Sequence, residues 1–268
     1  MNKITILALS LVLGISNSFA TESARSIMEK VDARDDGSSV ISIMQMTLID
    51  KNKKQRVRQM RTFSKDIDAN TEHKTIFFLS PSDVKNTAFL TYDYSGDDKD
   101  DDQWMYLPAL KKTKRIPASD KDSAFMGSDF TYSDMTDKEL DNYTFKLLKE
   151  SKIKRSDATH DVWVIESLPV SQAVIDETGY TKSILYIRKD NHVLTRAKFY
   201  LKKASRLKYM DVRKLEKIDG IWVAMQTTMT TKQGKQTLHK TILTNSNVEI
   251  NKAIADDIFT IRTIEKGL

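Results

Sequence analysis

The feature that most constrains this chain is a long succession of segments in which apolar and polar side chains alternate. Beyond residue 39 such segments follow one another almost without interruption. They span residues 40–50, 55–64, 74–80, 87–94, 103–107, 111–116, 143–149, 161–168, 181–189, 192–202, 207–215, 221–231 and 235–250. Alternation with a period of two puts the apolar side chains of a strand on one face. The pattern therefore predicts a large, mostly antiparallel sheet with one apolar and one solvated face.

Short polar connections indicate that segments adjacent in sequence also pair in the sheet. These connections are residues 50–53, 189–191, 218–220 and 232–234. Their Asp, Asn, Gly and Lys content is typical of hairpin turns. In one of the flanking strands, Val193, Ala197 and Phe199 point to one face while Arg196 and Lys198 point to the other.

A sheet of about a dozen strands seldom stays open and flat, because the twist of its strands accumulates. Curling with the apolar face inside gives a barrel or a half-barrel. The segments available as helices to cover that face are residues 22–34, 118–140 and 255–259. In the first of them Ala24, Ile27, Met28 and Val31 have the spacing of one helical face.

This is too little helix to cover so large a sheet, and two alternatives follow. Either a concave apolar surface stays unfilled and binds a ligand, or the strands close on themselves and their own side chains fill the barrel. The alternation alone favours neither.

The first twenty residues have the pattern of a cleavable secretory signal peptide. Lys3 precedes an apolar stretch over 4–15, and small residues end the segment at Ala20. An uncleaved anchor is the weaker alternative, because a spanning helix needs about 20 apolar residues. We therefore expect export, cleavage after Ala20 and a mature chain of residues 21–268 that forms a single domain.

Composition excludes several classes of function. The chain has no cysteine, which rules out disulfides, thiol catalysis and lipid attachment to an N-terminal cysteine. Removing Lys3 lowers the formal charge from +6 to +5. This mildly basic surface suits anionic lipid or an acidic partner. Without a basic helix, it gives no indication of nucleic-acid binding.

No motif predicts catalysis, a metal or a cofactor. The serines lack a G-x-S-x-G turn, and the four histidines have no second ligand at metal spacing. The acidic run over 97–102 lacks the alternate spacing and closing glutamate of a calcium loop, so we interpret it as a solvated hairpin tip. We expect a protein that is not an enzyme.

The most specific sequence lies in the middle of the chain. Residues 102–112 read DQWMYLPALKK, Arg115 and Ile116 follow, and residues 125–134 read FMGSDFTYSD. These runs resemble the signature of bacterial outer membrane lipoprotein-sorting proteins of the LolA-like superfamily. They are closest to its longer branch, which is found alongside transporters of the RND or MMPL type. The ending ADDIFT at 255–260 is similar to that of the same superfamily.

The resemblance implies an incomplete antiparallel β-barrel, a strongly curved sheet covered by helices around a hydrophobic cavity, with a central insertion at about 95–140. It also implies a periplasmic carrier in a Gram-negative bacterium. Such a carrier would bind the acyl chains of a lipoprotein or lipid and pass them from an inner-membrane transporter to an outer-membrane acceptor. Membrane contact would be transient and the protein monomeric. Lipoprotein, phospholipid and sterol-like cargo stay open. The alternative is an accessory subunit of an RND-type transporter that carries nothing.

Alternation parity and the signature together select candidate cavity residues. They are Met44, Met46, Phe78, Leu90, Trp104, Tyr106, Phe125, Met126, Phe130, Phe199, Val223 and Met225. A cationic strand follows the acidic run and is a candidate for docking to lipid head groups or to a partner. Its residues are Lys111, Lys112, Lys114 and Arg115.

Overall fold

A computed structural model describes residues 22–96, 99–155, 158–203 and 205–268. The predicted signal peptide lies outside these residues, as do Asp97 and Asp98 of the acidic run. No helix in the described part of the chain is both long enough and apolar enough to cross a membrane.

Within the described ranges, thirteen strands form one antiparallel sheet. The strands are β1 Ser39–Asp50, β2 Gln55–Asp68, β3 Thr71–Ser80, β4 Ala88–Tyr94, β5 Asp102–Leu107, β6 Lys112–Arg115, β7 Tyr143–Lys154, β8 Thr159–Pro169, β9 Tyr180–Arg188, β10 Leu194–Leu201, β11 Arg206–Ile218, β12 Ile221–Gln233 and β13 Gln236–Ile250. Each corresponds to one of the predicted segments. The mainly β, strongly curved antiparallel fold is confirmed.

The strand order is β6-β5-β4-β3-β2-β1-β13-β12-β11-β10-β9-β8-β7. Consecutive strands are neighbours within each half of the chain, as the hairpin turns predict. The two halves meet where β1 pairs with β13, for example at Met46 and Leu243. This leaves β6 and β7 as the two edges of the sheet.

The helices of the described residues are α1 Ala24–Asp32, α2 Gln172–Thr178 and α3 Ile261–Lys266. Helix α1 was predicted, and it begins where the Ser23 side chain accepts a hydrogen bond from the Ser26 N–H. Its apolar stripe is buried on the sheet, with Ile27 at 0% exposure. Helices α2 and α3 were not predicted, because six or seven residues show too little periodicity.

The expectation of helix over 118–140 is wrong. The segment between β6 and β7 instead contains short 3₁₀ turns at Ala118–Asp120, Phe125–Gly127, Ser133–Met135 and Leu140–Asn142. Pro117 precedes the first turn, and Met126 has a φ of 51°. Ser and Asp side chains in the segment also compete with helical hydrogen bonds, as where the Thr131 N–H donates to Asp134.

This segment, residues 116–142, is called the central segment below. It fills the concave side of the sheet over β1–β5, where Phe125 packs with Met46, Phe78 and Phe89. Helix α1 covers the concave side over β8–β10, where Ile27 packs with Leu185. The opposite, convex face of β3–β5 is covered by residues 254–264 of the C-terminal region.

Candidate functional site

A cavity of about 420 Å³ lies between α1, the central segment and the concave side of β9–β12. This volume lies within the roughly 300–1,000 Å³ range of ligand pockets. Its apolar lining comprises Met28, Val31, Phe130, Leu140, Val174, Leu185, Leu194, Phe199, Met210 and Met229. The concave side is thus packed over β1–β5, whereas over β9–β12 a cavity remains between the sheet, α1 and the central segment.

Strand register explains why these side chains meet. Leu185 of β9 pairs with Ala197 of β10, Ala197 with Met210 of β11, and Met210 with Met229 of β12. Residues paired across strands share a face, so these four form a continuous apolar row on the concave side. From the other side of the cavity, α1 contributes Met28.

Tyr180 separates this cavity from a second one. Its ring stacks on Phe199, with 4.6 Å between centroids, and its hydroxyl lies 2.8 and 3.0 Å from the two carboxylate oxygens of Asp134. Burial and the neighbouring Asp134 raise the pKa of Tyr180 well above its usual value. The Lys208 amine donates to the same hydroxyl at 3.3 Å. Tyr180 therefore keeps its proton and forms a fixed wall.

Beyond this wall lies a pocket of about 460 Å³ that is more basic at its rim. Its lining includes Lys202, Lys203, Arg206 and the buried Lys208. Burial lowers the pKa of Lys208, while the carboxylates of the central segment oppose that shift. Lys202 is already paired with Asp122 at 2.7 Å.

Asp129 anchors the central segment to the middle of the sheet. The residue is 4% exposed, and its carboxylate accepts hydrogen bonds from Thr231 Oγ1 at 2.5 Å and Thr241 Oγ1 at 2.7 Å. It also lies 2.7 Å from His239 Nδ1. The backbone N–H of Asp129 in turn donates to Thr241 Oγ1 at 2.9 Å. A buried carboxylate with this many partners fixes the position of the segment that carries it.

A charge cluster lies beside the mouth of the cavity. The Lys74 amine is 2.7 Å from Glu72, 3.0 Å from Asp93 and 3.5 Å from Asp137. One cation thus faces three carboxylates. Burial raises the pKa of Glu72 to about 7, although the neighbouring Lys74 favours the charged form of this carboxyl group. Burial likewise raises the pKa of Asp93.

Of the predicted cavity residues, Phe130 and Phe199 line the cavity. Five others lie in the packed core over β1–β5, namely Met44, Met46, Phe78, Phe125 and Met126. Val223 and Met225 are half-buried in β12 and lie outside the lining of either cavity.

Leu90, Trp104 and Tyr106 lie on the convex face, so their predicted place on the concave side is corrected. They pack with Phe259 and Ile264 of the C-terminal region. The alternation pattern assigned Leu90 to the wrong face because β4 is buried on both faces: Phe89 and Leu90 are 1% and 0% exposed. A strand covered on both sides does not alternate, and the sequence then carries no sign of which face is which.

The four predicted docking cations are all exposed, at or next to the edge strand β6. Arg115 is hydrogen-bonded to Asp102 of β5. Docking by these side chains stays a prediction.

Sequence reasoning missed the polar residues of the concave side. Lys208 lies two residues before Met210 in β11, so the two side chains point to the same face. The alternation could therefore have identified Lys208 as a lysine on an apolar face. Lys138, Asp134 and Asp129 lie in the central segment, where no regular period exists to assign a side chain to a face. Their position on the concave side depends on how the segment folds onto the sheet.

Comparison with known proteins gives matches over most of the chain. A protein-family model described as "uncharacterized protein" matches residues 70–266. A search of curated proteins gave no match. Among solved structures, a DUF1329 family protein from Desulfovibrio piger is 28% identical with a TM-score of 0.79, covering 89% of this chain and 96% of its own.

A second solved structure is a domain from Vibrio parahaemolyticus assigned to the outer membrane lipoprotein-sorting proteins. It is 30% identical with a TM-score of 0.79, covering 90% of this chain and 98% of its own. A LolA superfamily protein from Nitrosomonas europaea shares the fold at 18% identity and a TM-score of 0.65, covering 90% of this chain and 99% of its own. The chain therefore belongs to the DUF1329-type family of outer membrane lipoprotein-sorting proteins.

Proposed function

We propose that this protein is a periplasmic carrier that binds the acyl chains of a lipid or lipoprotein and passes them between an inner-membrane transporter and the outer membrane. The observation that carries the proposal is the open apolar cavity between α1, the central segment and β9–β12. Membership of a lipoprotein-sorting family supports it, as does the secretory pattern of residues 1–20. The proposed role is transport and involves no catalysis.

Energetics explain why such a carrier needs a lined cavity. Shielding a sixteen-carbon chain from water is worth on the order of 12 kcal/mol, at about 0.8 kcal/mol per methylene. Moving that chain from a bilayer into the cavity gains little, because both surroundings are apolar. We therefore propose that an energised transporter of the RND or MMPL type drives loading and that a better acceptor drives delivery.

The cavity lining suits cargo of varying shape. Met28, Met210 and Met229 supply flexible side chains to it, and methionine adapts to irregular apolar surfaces more easily than branched residues do. The packed core over β1–β5 gives the accessory-subunit alternative its support, because there the central segment fills the concave side.

The deciding experiment identifies what the native protein holds. The mature protein is purified from its own periplasm and extracted with organic solvent, and the extract is analysed by mass spectrometry. Stoichiometric acylated molecules are expected. Repeatedly empty preparations that also fail to bind a fluorescent fatty-acyl probe would favour the accessory subunit.

A blocking variant tests whether the probe enters this cavity. Ser183 is 4% exposed and lines the cavity, so Ser183→Phe is expected to fill part of it and weaken probe binding at least about tenfold. Thr181→Phe makes the same kind of change at an exposed position of the same strand and should leave binding unchanged. Equal probe affinities in the two variants, both folded by circular dichroism, would place the probe elsewhere.

A further inference from the structure

Lys138 belongs to the central segment, and its side chain lines the cavity between α1, the central segment and β9–β12. Its amine donates a hydrogen bond to Ser167 Oγ at 2.8 Å and lies 3.6 Å from the centre of the Tyr143 ring. Ser167 is 1% exposed on the concave side of β8, so the amine points inward. Burial lowers the pKa of Lys138 to about 7.

The carboxylates nearest in sequence to Lys138 have other partners. Asp137 pairs with Lys74 at 3.5 Å, Glu139 accepts from the Gly96 N–H at 3.4 Å, and Asp134 accepts from Tyr180. Among the described residues, Lys138 forms no ion pair, and its partners are a hydroxyl and aromatic rings. A buried ammonium group without an anion is costly, so it loses its proton or acquires an anion.

The other carboxylates that line the cavity are Asp32, Asp36, Asp101, Asp134, Asp137, Glu139 and Glu177. Arg34, Tyr143 and Tyr180 complete the ring. Carboxylates repel an anion over most of the mouth, whereas the amine of Lys138 attracts one. An anion that enters with an apolar chain therefore gains most when it lies against Lys138.

We propose that the cavity takes an anionic amphiphile, and that Lys138 binds its carboxylate or phosphate while the acyl chain lies against Leu185, Phe199 and Met210. This deepens the proposed carrier function and rests on it. The apolar row accounts for the chain, and the lysine without a carboxylate partner accounts for the head group. Loading then requires the ammonium form, so at a pH above the pKa of free Lys138 the complex takes up a proton.

Two probes of the same chain length test the proposal: a fluorescent long-chain fatty acid and the corresponding alcohol. The wild-type protein is expected to bind the acid at least about tenfold more tightly than the alcohol, the size of one charge-assisted hydrogen bond. Lys138→Met should abolish that preference and leave the affinity for the alcohol unchanged. Lys138→Arg should keep it. Lys146→Met is the matched control, since it removes a lysine from the exposed side of β7.

Proton uptake supplies a measurement that needs no variant. Calorimetric titration of the fatty acid at about pH 8, in two buffers of different ionisation enthalpy, should show uptake of nearly one proton per molecule bound. Equal binding of acid and alcohol by the wild-type protein overturns the role of Lys138 and leaves the carrier standing. So does a preference that survives in a folded Lys138→Met protein. Failure of both probes to bind overturns the carrier function together with this inference.

Discussion

At the scale of single residues, Asp129 shows how one buried carboxylate positions a long segment without regular structure. Asp129→Ala leaves Thr231, Thr241 and His239 without their shared partner. We expect the free energy of unfolding in urea to fall by about 1–3 kcal/mol, the cost of leaving buried hydrogen-bonding groups without their partner. Asp141→Ala, at a side chain 91% exposed, should change it little. Equal effects of the two variants would contradict the anchoring role.

The carboxyl group of Glu72 predicts a dependence of stability on pH. Its pKa in the folded protein is about 7, above its usual value of 4.5, because burial disfavours the charge. Between these two values the folded state holds the proton and the unfolded state does not, so stability falls as pH rises from about 5 to about 7.

Glu72→Gln should reduce this fall by more than about 1 kcal/mol, as judged by urea unfolding at about pH 5 and about pH 7. Lys138 is protonated in both states below its folded pKa, so its titration adds little in this window. A variant with the same pH profile as the wild-type protein would show that Glu72 ionises normally.

At the scale of elements, α1 and the central segment meet across the mouth of the cavity through Arg25. Its guanidinium donates to the Leu140 carbonyl at 3.1 Å and to Asp141 at 2.7 Å. Arg25→Met should leave the melting temperature nearly unchanged, because the contact is exposed. It should also speed dissociation of a bound acyl probe several-fold, because α1 then lifts more readily. Stopped-flow displacement measures this.

Lys30→Met is the control for that measurement. Lys30 lies on the same helix and pairs with Glu22 at 2.5 Å, away from the central segment. If both variants release the probe at the wild-type rate, α1 does not control access to the cavity.

Elements also show what could be predicted from the sequence. Strands with one wet face keep a period of two, and every strand of the described chain overlaps a predicted segment, with ends that differ by up to five residues. The conformation of the central segment was not predicted, because it depends on non-local partners such as Arg58, which donates to the Met126 carbonyl. Of the predicted cavity residues, Phe130 and Phe199 line the cavity, and their role as a binding site stays a prediction. Others lie elsewhere either because both faces of β4 are buried or because the central segment packs over β1–β5.

At the scale of the whole molecule, the pairing of β1 with β13 joins the first and last strands of the described chain. Single-domain behaviour stays a prediction, and two tryptophans test it. Trp104 lies in β5, close to one edge of the sheet, and Trp163 lies in β8, close to the other. Single-tryptophan variants retaining one or the other should give coincident urea transitions. Separate midpoints would indicate two folding units.

The free edges of the sheet bear on how the protein avoids aggregation. Because the sheet does not close on itself, the outer backbone groups of β6 and β7 have no neighbouring strand among the residues that the structure describes. Lys112 and Lys114 stand exposed on one edge, and Lys146 and Lys149 on the other. Lysines at such positions prevent a second copy from adding its strand, since the added strand would bring like charges together. The cationic strand singled out as a docking surface thus also has a protective use, keeping an open sheet from growing into a fibre.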